Sequence, residues 1–107
     1  MVQQKEYITL GDFKEKACCL PCADEGYIHP EPKDVATLIN LAGWSQSDTA
    51  KLVGVSYSTE KGSSTIRKWK SSNPNKEHRA IPYSAWRLML LYAGVVEIES
   101  KNKVGSE

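Results

Sequence analysis

The chain has 107 residues, 14 Lys/Arg against 13 Asp/Glu and 40% hydrophobic side chains, the size and make-up of a single domain with one modest core. No apolar run approaches membrane-spanning length and the N-terminal stretch lacks a signal-peptide core, so the expected setting is the cytoplasm, without membrane attachment. The three cysteines, Cys18, Cys19 and Cys22, are odd in number and lie within five positions, which excludes a secreted disulfide framework and agrees with a reducing compartment.

In chain order, Tyr7-Ile8-Thr9-Leu10 reads either as a short strand or, with Thr9 as N-cap, as the approach to a helix over about Leu10–Cys19. The helix is the preferred reading, with Phe13 and Ala17 on one face and Pro21 ending it. Cys19 and Cys22 have C-x-x-C spacing, which suits a metal or a redox pair, and Cys18, His29 and Asp24 stand near enough to complete a ligand set. Two observations weigh against it. A second ligand pair further along the chain is missing, and so is the βαβ context of a redox motif. The competing reading is three small apolar side chains, and no cofactor is called for.

Pro30-Glu31-Pro32 leads into a helix expected over about Lys33–Ala42. Val35, Leu38, Ile39 and Ala42 form its apolar stripe, and Gly43 stops it. Next comes Trp44 to Lys70, WSQSDTAKLVGVSYSTEKGSSTIRKWK, in which two short helices are legible. The first runs from about Gln46 to Val53, capped by Ser45 with Asp48 reaching back, and closed by Gly54. The second starts near Ser63 or Ser64. Its Ile66 and Trp69 share one face and serve as anchors, while Arg67, Lys68 and Lys70 point elsewhere.

Ser45-Gln46, Ala50, Leu52-Val53-Gly54-Val55-Ser56 and Ser64-Thr65-Ile66-Arg67-Lys68-Trp69 together resemble the lambda-repressor-like (XRE-type) helix-turn-helix family, over Glu31 to about Gly94. In that family a Gly-Val-Ser turn runs almost directly into the second helix. Here Tyr57–Gly62 intervenes, an insertion that reads as a mobile surface loop or as a wing reaching DNA through Tyr57 and Lys61. The resemblance implies an all-α, mainly helical bundle with an enlarged turn. It also implies a double-stranded DNA-binding regulator, a homodimeric repressor acting by operator occlusion, in a bacterial cell or phage-infected host. A family Gln at the position of Gln46 contacts a phosphate or braces the second helix.

Charge distribution points the same way. Residues 1–40 carry four Lys/Arg against seven Asp/Glu, whereas residues 51–90 carry eight against two. A basic segment centred on the second motif helix is what a phosphate-binding face requires. Ser64, Arg67 and Lys68 are placed for base edges, Arg67 with the bidentate fork suited to guanine. Ser63 and Thr65 lie in the same first turn, and Lys70 is assigned to phosphate. The polar loop Ser71–Arg79 supplies Lys76 and Arg79 as flanking backbone contacts, with His78 an exposed loop residue.

Pro82 to Gly94 is the strongest helical segment, with Ala85, Leu88, Met89 and Tyr92 on one apolar side and Trp86, Leu90 and Ala93 on another. Such a helix has more surface to bury than a small core covers, so its second side either closes the domain or forms a subunit interface; Trp86–Ile98 is the homodimer candidate, where Val95–Ile98 can pair as a short strand. The domain plan is an N-terminal arm and helix over 1–30 packed on the core, the DNA-binding domain over 31–98, and a disordered tail over 99–107. Two other functions compete: an adaptor that keeps this fold and binds protein through Trp86–Ile98, and a thiol- or metal-sensing regulator using Cys18, Cys19, Cys22 and His29. An enzyme is not expected, because no acid–base partner accompanies the cysteines.

Overall fold

The computed structural model describes residues 9–71 and 79–98; the expectations for Tyr7–Ile8, Lys76, His78 and the tail fall outside them. Five α-helices lie among the described residues: α1 Leu10–Phe13, α2 Pro32–Ala42, α3 Gln46–Val53, α4 Ser64–Lys70 and α5 Tyr83–Ala93. The fold is therefore all-α.

Most of these boundaries follow from local chemistry. Thr9 caps α1, its hydroxyl accepting from Asp12 N–H at 3.1 Å while the Asp12 carboxylate accepts from Thr9 N–H. Ser45 and Asp48 do the same for α3, at 2.9 and 3.0 Å. Gly43, Gly54 and Gly94 all stand at φ between 77° and 83°. The next residue after each folds back: Trp44, Val55 and Val95 donate their N–H groups to Ile39, Ala50 and Leu90 carbonyls, each at 3.1 Å. Three helices thus end in the same left-handed closure, and each closure turns an apolar side chain onto the core.

The α3 cap carries a charge and so depends on pH. The Ser45 backbone N–H, then its hydroxyl, hold Asp48 below its ordinary carboxylate value. A depressed folded-state value stabilises above the unfolded value near 3.8 and is lost as pH falls through the folded one. Asp48→Asn should flatten the acid limb of a thermal-melt series between about pH 5 and pH 2, the range in which such a carboxylate titrates. An unchanged acid limb would dissociate the cap from acid stability.

Phe13, Val35, Leu38, Ile66, Trp86, Met89 and Leu90 form the centre of one core, all fully buried. Helix α2 packs on α1, α4 and α5, and α3 packs on α4 and α5. Ala50, with no exposed surface, lets α3 lie close to its neighbours.

The expected Leu10–Cys19 helix breaks after Phe13 and resumes as a 3-10 turn over Ala17–Cys19. Long-range partners explain the break. The indole N–H of Trp86 donates to the Cys18 carbonyl at 2.8 Å, and Arg87 Nη1 donates to the Cys19 carbonyl at 2.8 Å. Cys19 Sγ also donates to the Phe13 carbonyl at 3.4 Å, an oxygen that Lys16 N–H shares at 3.0 Å in a tighter three-residue turn. The two apolar sides expected of α5 are regrouped as well. Ala85, Trp86, Met89 and Leu90 are buried, whereas Leu88 and Tyr92 are 38% and 59% exposed. Val95–Ile98 forms no strand; Val95 is spent on the closure of α5, and Ile98 stands exposed.

Candidate nucleic-acid interface

Lys61 and Arg67 of the basic segment are brought together because α3, the 56–63 connection and α4 are pinned together, whereas Arg87 lies on α5 and is spent on the Cys19 carbonyl. After the Gly54 closure the chain turns into a tight antiparallel hairpin, with Ser58 and Gly62 exchanging both backbone hydrogen bonds, at 2.8 and 3.0 Å. Lys61 N–H donates to Ser58 Oγ at 2.8 Å, closing the tip. Ser47, on the first turn of α3, donates its hydroxyl to the Ser58 carbonyl at 3.2 Å. The insertion is therefore a folded hairpin, a wing docked on α3.

Gln46 is the central brace. Its Oε1 accepts from Ser63 N–H at 2.9 Å and from Arg67 Nη1 at 3.4 Å. Arg67 Nη1 also donates to the Lys61 carbonyl at 3.2 Å. One guanidinium thus ties α4 to α3 and to the wing. Gly62 sits at φ 77° against Gln46, and a Cβ there would collide with Gln46 Oε1. Glycine is required at this position by conformation and by space together.

The predicted site residues separate into groups. Tyr57, Lys61, Ser64 and Arg67 come together around a cleft of about 290 Å³ between the wing and α4, with Ser56 and Ser58 also lining it. Thr65, Lys68 and Lys70 are half-buried along α4, and Arg67 and Ser64 are exposed. Ile66 and Trp69 are buried behind them, as their spacing implies. Arg79 N–H donates to the Lys68 carbonyl at 3.4 Å, which sets the exposed Arg79 beside the end of α4. Lys51 lies over the Tyr57 ring at 5.6 Å, adding a cation on the wing side.

Ser63 is a correction. It is 1% exposed, and its hydroxyl accepts from Ile66 N–H at 3.3 Å as the N-cap of α4. A side chain spent on the cap and covered by the fold cannot reach a base or a phosphate. The residues missed were Ser47 and Ser58. Ser58 stood in a polar stretch ending in glycine, which marks a hairpin when its neighbours are strands, and Ser47 carried no sequence signal.

The cysteine region does not assemble into a metal site among the described residues. His29 spends one ring nitrogen on the Tyr27 hydroxyl at 2.7 Å and the other on the Ile81 carbonyl at 2.8 Å. Cys18 and Cys19 are buried in the core and Cys22 is exposed. The Cys18 thiol is pushed far above its ordinary range by its hydrogen bond with the Cys19 thiol and then by burial. A second cleft, of about 360 Å³, lies beside them and is lined by charges of both signs, including the Lys16–Asp34 ion pair at 3.4 Å. No described helix is long and apolar enough to cross a membrane.

Two proteins of Escherichia coli, each named transcriptional repressor protein KorC, are similar to this chain. One is 36% identical over 77 residues, covering 72% of this chain and 80% of the relative. The other is 28% identical over 86 residues, covering 80% and 91%. No family model matches the chain. No solved structure matches it.

Proposed function

Since this chain belongs to the family of the transcriptional repressor KorC, we propose that it is a sequence-specific double-stranded DNA-binding repressor. The observation that carries this reading is the α4 surface: Ser64 and Arg67 exposed, Ile66 and Trp69 buried behind them, and a braced wing alongside. In this reading α3 and α4 form a helix-turn-helix of the lambda-repressor-like kind, with the wing as its enlarged turn. Helix α4 enters the major groove, where Ser64, Arg67 and Lys68 meet base edges and Thr65 lies against the groove wall. Tyr57, Lys61, Lys70 and Arg79 meet the sugar–phosphate backbone. Gln46 acts chiefly as the brace of Arg67 and Ser63.

Affinity then comes largely from phosphate neutralisation and falls with salt, and selectivity comes from α4. Repression follows by occlusion: a bound protein covers an operator that overlaps a promoter, in a bacterial cytoplasm. A homodimer fits the unpartnered apolar side chains Leu88, Tyr92 and Ile98 at and beyond the outer side of α5, the last 79% exposed.

Selection of bound duplexes from a random library, with binding then measured across a salt series, tests the proposal. The expected product is a pair of inverted half-sites with centres about 34–36 Å apart or a multiple of that, as symmetric dimers require. A protein that enriches no sequence, or ignores every duplex at low ionic strength, would overturn it.

A further inference from the structure

We propose that the cleft between the wing and α4 is a seat for one phosphodiester of the operator backbone, adjoining the base-reading surface and sharing Ser64 and Arg67 with it. The inference rests on the repressor reading above and says where the register of α4 on the duplex is set. Its lining supplies hydrogen-bond donors and positive charge: the hydroxyls of Ser56, Ser58 and Ser64, the Lys61 ammonium and the Arg67 guanidinium. Among the described residues no carboxylate lines it. A phosphodiester oxygen only accepts hydrogen bonds and carries charge, so a lining of this composition matches it.

Three further features make this a built site. The Ser58 hydroxyl accepts from Lys61 N–H, which leaves its own proton to donate elsewhere. Among the described residues the Lys61 ammonium has no partner of its own. The wing that carries both is fixed to α3 through Ser47 and closed by the Ser58–Gly62 pair. Arg67 stands as the wall between seat and groove. Its Nη1 is held by Gln46 and the Lys61 carbonyl, which fixes the guanidinium beside the cleft, where it lends the seat positive charge.

Lys61→Ala and Ser58→Ala test the seat, using the full chain and the duplex recovered by selection. Lys61→Ala removes an exposed side chain and keeps both backbone hydrogen bonds of that residue, so its melting temperature should match that of the parent. The slope of log K against log salt should fall by about 1, which is about a five-fold loss of affinity at 0.15 M salt. Base preference should not change. Ethylation interference should show one phosphate per half-site whose alkylation blocks the parent and no longer affects Lys61→Ala. Ser58→Ala should weaken binding at the same phosphate. An unchanged salt slope, or an unchanged ethylation pattern, overturns the seat while leaving the repressor reading in place. Failure of the parent protein to select any sequence would instead remove the repressor reading on which the seat rests.

Discussion

Trp86→Ala is expected to cost about 4–8 kcal/mol of folding stability, combining about 3–5 for the cavity left by a core tryptophan with about 1–3 for an orphaned carbonyl. The indole is fully buried, tilted against Phe13 at 6.1 Å between ring centroids, and its N–H goes to the Cys18 carbonyl at 2.8 Å. Truncation therefore opens the core and strips that carbonyl of its indole partner. Small domains have about 5–15 kcal/mol in total, so the variant should be largely unfolded or close to it at 37 °C. Urea titration followed by far-ultraviolet dichroism measures this. Trp86→Phe separates the two contributions: it keeps most of the ring, loses the N–H, and should cost about 1–3 kcal/mol. Equal midpoints for the parent and Trp86→Ala would mean that the 9–20 segment and α5 are not held together at this point.

Arg67→Lys is expected to reduce affinity for the selected operator about 10- to 100-fold while leaving the salt slope nearly unchanged. The charge is kept and the planar fork is lost, and a good bidentate pair discriminates by about 1–3 kcal/mol. The same change should flatten the preference at one base pair of each half-site. The fold should persist, because Arg67 is exposed and Ile66 and Trp69, the anchors of α4, are untouched. Binding isotherms on the operator and on duplexes substituted at single positions are the measurement, with a melt of the variant beside them. Full retention of base preference would assign Arg67 to bracing alone, through Gln46 and the Lys61 carbonyl. Together with Lys61→Ala this gives opposite signatures, one variant changing selectivity and the other changing salt dependence.

The helical architecture was readable because its limits depend on near neighbours. Ser45 needs only Asp48, and Thr9 needs only Asp12. The left-handed glycines need only the carbonyls of the turn before them. The burial of Ile66 and Trp69 follows from their spacing of three, whatever they pack against. The candidate site was legible in outline for the same reason, since a basic segment and a capped pair of short helices are properties of contiguous residues.

What the chain alone determined was thus the helix stops and starts, the buried side of α4 and the concentration of cations around it. Tertiary structure decided the rest: the break in the Leu10–Cys19 helix, the covered side of α5, the wing, and the withdrawal of Ser63 from the surface. Each of these turns on a partner far along the chain, with Cys18 and Trp86 68 residues apart and Gln46 and Ser63 17 apart. Local periodicity and capping carry no information about which distant donor will claim a carbonyl, so those choices were made only when the elements packed.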